Sequence, residues 1–162
     1  MKKILTTIAI AITCIMSACS DKVVFEEKHN FPNSTWMRFD PENFEVNIKN
    51  IDDCYDIYFS VTVDTNVIRI NNLPLVINIE DSEGSRRVFM SDIIFQNKKG
   101  ESMGKTVGSF VEYTAKAREY FYFNSKGIHK FSIKNSTQFY ELKGIASIGM
   151  KIEKSNMDIN IE

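Results

Sequence analysis

From Phe39 onward, apolar and polar residues alternate in short runs with a period of two. Phe44, Val46 and Ile48 are separated by Glu45 and Asn47, the pattern of a strand with one buried face. After a turn at 50–53, Tyr55, Ile57, Phe59, Val61 and Val63 repeat the alternation over a longer run and predict a central strand. Residues 67–70 and 75–80 continue the pattern, interrupted by Asn71, Asn72 and Pro74, since proline cannot donate to a ladder. Asp81-Ser82-Glu83-Gly84 reads as a hairpin turn, with the return strand starting at Val88 and Met90 and resuming at 93–96. Residues 110–113 are strand-like, whereas 114–119 predict one helical turn or a loop. Alternation in Tyr120-Phe121-Tyr122-Phe123 puts the tyrosines on one face and the phenylalanines on the other. Phe131 and Ile133 should face the core, 135–143 is irregular or briefly helical, and Ile145, Ile148, Met150 and Ile152 form a closing buried stripe. The terminal stretch 157–162 alternates once more.

No helical period is sustained after residue 19. Short strands rich in Val, Ile, Phe and Tyr, with mixed faces, predict an all-β, antiparallel two-layer β-sandwich of jelly-roll or immunoglobulin-like type. The expected sandwich domain is 34–162.

The first residues follow another rule. Lys2 and Lys3 precede an apolar run over 4–12 broken only by Thr6 and Thr7, and Ser17-Ala18-Cys19 follows. That order is a secretory signal peptide over 1–18, and its apolar run is shorter than the ~20 residues of a membrane-spanning helix. A Cys directly after the small pair marks a bacterial lipobox. Cys19 is expected to carry a diacylglyceryl thioether, to become the new amino terminus, and to be acylated there, typically with palmitate. Residues 19–33 are then a lipid anchor and tether, although Val23, Val24 and Phe25 could start a strand. Ser20 stands where an Asp would signal retention at the inner membrane in the enterobacterial sorting rule, so outer-membrane anchoring is the expectation.

A formal net charge of -1, with Lys and Arg dispersed, disfavours nucleic acid as a partner. With Cys14 lost with the signal and Cys19 lipidated, Cys54 has no partner for a disulfide and reads as a small buried apolar residue. His29 and His129 are too far apart in sequence to suggest a metal pair; His29 is expected in the solvated tether and His129 on an outward strand face. The glycines at 100, 104 and 108 lack phosphate-loop spacing and a following helix, and read as tight or bulged turns. No nucleophile elbow or triad motif occurs, so neither catalysis nor a cofactor is expected. Trp36, Tyr113, Tyr120 and Tyr122 are the candidate partner or ligand surface, as aromatics that can stack on sugars.

The segments Phe95-Gln96-Asn97-Lys98-Lys99-Gly100-Glu101-Ser102-Met103-Gly104-Lys105-Thr106-Val107-Gly108 and Gly127-Ile128-His129-Lys130-Phe131-Ser132-Ile133 resemble the gliding-motility lipoproteins of Bacteroidetes, the GldH type. Leu142-Lys143-Gly144-Ile145-Ala146-Ser147-Ile148-Gly149-Met150-Lys151-Ile152-Glu153-Lys154 resembles the family's closing segment best. Phe31, Trp36 and Phe39 match its early aromatic cluster. Met103 replaces an aromatic residue, His129 a tyrosine, and the last loop glycine is displaced to Gly108. The resemblance implies an outer-membrane lipoprotein tied to gliding or its associated secretion, with no catalytic residues to carry over. Two functions follow as expectations: a non-catalytic structural or assembly component that binds other cell-envelope proteins, and, alternatively, a surface carbohydrate-binding module with a glycan ligand.

Overall fold

Eleven strands form within residues 22–156, the part of the chain that the computed structural model describes. They are β1 (Val23–Asn30), β2 (Thr35–Met37), β3 (Glu42–Ile48), β4 (Tyr55–Val63), β5 (Asn72–Glu80), β6 (Arg86–Ile94), β7 (Lys105–Val107), β8 (Phe110–Phe121), β9 (Gly127–Asn135), β10 (Glu141–Lys143) and β11 (Ile145–Lys154). One layer is a five-stranded sheet in the order β1-β11-β4-β8-β7, the other a four-stranded sheet in the order β3-β9-β5-β6. All ladders are antiparallel, and β2 and β10 form a small separate ribbon. The expected antiparallel two-layer sandwich is the fold.

The sequence period explains the layers. Phe44, Val46 and Ile48 of β3, Leu73, Leu75, Ile77 and Ile79 of β5, and Phe131 and Ile133 of β9 point inward from the four-stranded sheet. They meet Ile57, Phe59, Val61 and Val63 of β4 and Ile145, Ile148, Met150 and Ile152 of β11. Each such side chain contributes roughly 1.5–3 kcal/mol by leaving water. β4 occupies the middle of its sheet, between β11 and β8, as its long run predicts.

Several local expectations are corrected. β1 pairs with β11 from Val23↔Glu153 to Asn30↔Ser147, so the folded domain begins at Val23 rather than at residue 34. Residues 67–70 are not a strand: the Asp64 carbonyl accepts the N–H groups of both Val67 and Ile68, at 3.1 and 3.0 Å, and the chain turns there. Pro74 sits inside β5, because the ladder to β9 ends at Leu75↔Asn135 and the proline's missing donor falls just beyond it. Residues 114–119 are neither helix nor loop but the middle of β8, where pairing with β4 overrides weak strand propensity. Two register shifts against β4 absorb extra residues of β8 as bulges. His129 is fully buried beside Phe123, not outward. Cys54 is a buried free thiol. The signal peptide, Cys19 and the alternating stretch 157–162 lie outside the described residues.

The connections sort to the two ends of the sandwich. The starts of β1 and β4 and the ends of β8 and β11 lie at one end, with the loops 49–54, 81–85 and 122–126. The loops 31–41, 64–71 and 136–144 gather at the other, tied by Asp64 N–H to Gly144 C=O and Gly144 N–H to Ser34 C=O, both 2.8 Å. Gly144 has φ +91°, and a Cβ there would lie 2.8 Å from the Ile68 backbone nitrogen. Gly104, in the long 95–109 connection, lies flat on β8, where a Cβ would meet Val111 Cγ1 at 2.4 Å. Gly144→Ala therefore combines a left-handed backbone with a main-chain clash and should cost about 2–3 kcal/mol in urea unfolding. Gly84→Ala, at φ +85° in open space, should cost about 1 kcal/mol; equal losses at the two positions would contradict this packing.

Candidate functional site

Lys22 is the point from which the chain runs back toward Cys19. Its carbonyl accepts the Lys154 N–H at 2.8 Å, and the next residue, Ser155, donates its N–H to the Cys54 carbonyl at 2.9 Å. The amino-terminal segment thus leaves the sandwich at a fixed place, beside the last residue of β11.

The four aromatic residues singled out by sequence do not form one surface. Trp36 is 0% and Tyr113 4% exposed, whereas Tyr120 and Tyr122 are 45% and 48% exposed. The Trp36 indole N–H donates to the Asp40 carbonyl at 3.0 Å and its ring stacks on Phe31 at 5.0 Å, so this tryptophan pins the 31–41 loop. The Tyr113 ring lies 4.5 Å from Phe95 and its hydroxyl 3.1 Å from Ser102 Oγ, fastening the 95–109 connection. Of the four, only Tyr120 and Tyr122 are exposed, two residues apart at the end where Lys22 leaves.

Tyr120 takes a left-handed backbone, φ 51°, and its N–H donates to Asp56 Oδ1 at 3.2 Å. Asp56 is nearly buried and also receives Lys116 Nζ at 2.9 Å and the Ser155 hydroxyl. Burial pushes the Asp56 carboxyl up, but the hydrogen bonds from Ser155, Lys116 and the Tyr120 backbone outweigh it and hold the group below the usual carboxylate range. The cluster is a clamp joining β4, β8 and the end of β11, with every oxygen engaged.

The outer face of the five-stranded sheet carries a shallow depression of about 530 Å³ floored by Ser60, Thr114 and Gly149. Lys28 lies across this floor to reach Glu112 Oε1 at 2.5 Å, and Lys151 pairs with Glu153 at 2.8 Å. Exposed pairs of this kind contribute little net energy. Among the described residues no group of three His, Cys, Asp or Glu side chains stands close enough to hold a metal ion.

His29 is a packed strand residue rather than a solvated tether residue: its ring stacks on Phe44 at 4.2 Å, with Nδ1 2.8 Å from Glu42 and Nε2 3.0 Å from Glu27. A further surface escaped sequence reasoning. Phe39 and Tyr140 are 68% and 61% exposed with ring centroids 5.9 Å apart, at the end opposite Lys22. Phe139, next to Tyr140 in sequence, lines an apolar groove of about 240 Å³ at the same end with Val67, Ile70 and Leu142. The sequence signals are Phe39, in the early aromatic cluster, and the aromatic pair Phe139-Tyr140 in a stretch without alternation.

The two histidines should titrate in opposite directions. Partial burial lowers the His29 pKa, but its hydrogen bonds and Coulomb attraction to Glu27 and Glu42 outweigh this and raise it above 6.5. Burial dominates at His129 and lowers its pKa below 6.5, against the Gly127 carbonyl. The His29 contribution to stability is therefore complete below pH 6.5 and lost as pH rises through its folded pKa. That of His129 is complete above pH 6.5 and lost as pH falls toward its folded pKa. Ring-proton NMR should place the two midpoints on opposite sides of 6.5; midpoints on the same side would refute the two environments.

With this geometry in place, comparison with known proteins is specific. A relative described as "Gliding motility lipoprotein GldH homolog", from Christiangramia forsetii (strain DSM 17595 / CGMCC 1.15422 / KT0803), is 26% identical over 151 residues, covering 88% of this chain and 90% of its own. The family model described as GldH lipoprotein matches residues 23–152, from the first residue of β1 to within two residues of the end of β11. The whole sandwich is thus the matched unit, and the chain belongs to the GldH lipoprotein family.

Proposed function

We propose that this protein is a non-catalytic, lipid-anchored structural component of an envelope machinery, serving gliding or its associated secretion at the outer membrane, and that it works by binding other envelope proteins. The observation that carries the reading is the fixed exit of the amino-terminal segment. β1 begins at Val23, four positions after Cys19, and Lys22 is held to the end of β11. A thioether-linked lipid on Cys19 would therefore hold one end of a rigid sandwich close to the bilayer. Family membership supports the lipoprotein character, and the relative's description as a gliding motility lipoprotein supports the process. The surface depression with paired charges and the fully engaged Asp56 clamp suit a scaffold better than a reaction site.

The glycan alternative is less well supported: of the four aromatics singled out by sequence, Trp36 and Tyr113 are core residues and Tyr120 and Tyr122 are exposed.

Cys19→Ala should abolish incorporation of labelled fatty acid and move the protein from the membrane to the soluble fraction. Retained label in that variant would refute the anchor assignment.

A further inference from the structure

We infer that the apolar cluster at the end of the sandwich opposite Lys22 is the docking surface for a second envelope protein, which presents an apolar side chain flanked by carboxylates. The inference rests on the anchor reading above.

The surface is built from Phe39 and Tyr140, which lean on each other in the open, and from the adjoining groove of Phe139, Val67 and Ile70. Exposed aromatic side chains gathered at one end of a fold are a candidate interaction surface. Its fold position is rigid. The 31–41, 64–71 and 136–144 loops that carry it are joined by the backbone bonds through Gly144, and Arg38 N–H donates to the Tyr140 carbonyl at 2.9 Å. The partner therefore meets a preformed surface.

The anchor reading argues against two occupants. From Cys19 to Lys22 the chain reaches at most ~10 Å, while the nine residues of β4 separate the two ends by ~30 Å. An anchored molecule whose tethered end faces the bilayer holds this cluster away from lipid. Two copies anchored in one leaflet point the same way and cannot meet through their far ends, since that contact would set the anchors ~60 Å apart on opposite sides. A different protein is what fits.

Charge defines its chemistry. Arg38 lies 5.7 Å from the Phe39 ring centroid, and Arg69, in the groove, bonds only the Ile68 carbonyl, at 3.0 Å. Among the described residues neither guanidinium has a carboxylate within ion-pairing distance, whereas the neighbouring Lys143 is matched by Glu141 at 3.7 Å. Two guanidinium groups beside exposed rings suit bidentate carboxylates on a segment that also fills the groove.

Photocrosslinking in intact cells tests this with p-benzoylphenylalanine placed at Phe39, at Tyr140 and, as control, at the exposed Val88 of β6. The first two sites should give an adduct with one different protein, mapped by mass spectrometry to a segment containing Asp or Glu. Arg38→Glu with Arg69→Glu, a surface change that leaves thermal unfolding unaltered, should cut the yield about tenfold. Adducts to lipid or to a second copy, or yields no higher than at Val88, would overturn the docking surface. A yield unchanged by the double charge reversal would overturn the acidic partner. Fatty-acid labelling of Cys19 in the same cells separates the two readings: label present with a self-adduct rejects the surface alone, and label absent rejects the anchor.

Discussion

The pairing of the first strand with the last organises this molecule. β11 lies between β1 and β4, so it supplies backbone partners on both edges and four inward side chains to the core. Its pairing with β1 spans nearly the whole chain and completes the five-stranded sheet. The same ladder ends on Lys22, which decides where the amino-terminal segment leaves and therefore which end of the sandwich an anchor on Cys19 would hold.

The buried polar groups serve this arrangement. Asp56 joins β4 to Lys116 and Tyr120 of β8 and to Ser155 just past β11, so one carboxylate ties three strands at the tethered end. At the far end the backbone does the equivalent work, since Gly144 bonds both the 31–41 and the 64–71 loops in a conformation open only to glycine. Between the ends, the outer face of the five-stranded sheet holds the Lys28–Glu112 and Lys151–Glu153 pairs. The far end gathers exposed rings and the guanidinium groups of Arg38 and Arg69.

Much of the fold could be read directly. β3, β4 and β11 are legible because each has one buried and one wetter face, which forces period two. β8 was misread over 114–119 because Ala115, Lys116 and Ala117 carry no strand preference of their own; their state is set by pairing with β4. His29 is packed because Phe44 of β3 stacks on it, a contact that local sequence does not contain. His129 is different: it stands two residues before the core-facing Phe131, so the period of two of β9 itself points it inward, against Phe123 of the 122–126 loop. The candidate surface was half legible. Tyr120 and Tyr122 are both exposed, consistent with the shared face that alternation gives them, but Trp36 and Tyr113 are aromatics that fasten loops to the core. Phe39 and Tyr140, a hundred residues apart, become a surface only through the β2–β10 ribbon.

The central claim is one of polarity: one end toward the membrane, the other presenting apolar surface to a protein. Its most direct test is the height of each end above a bilayer. The lipidated protein would be labelled singly at Lys126→Cys, in the exposed 122–126 loop, and at Tyr140→Cys, Cys54 being buried. Energy transfer to a headgroup dye in phosphatidylethanolamine–phosphatidylglycerol vesicles then gives two distances. The Tyr140 position should stand ~30 Å farther from the membrane than the Lys126 position; equal heights, or Tyr140 nearer the lipid, would contradict the account.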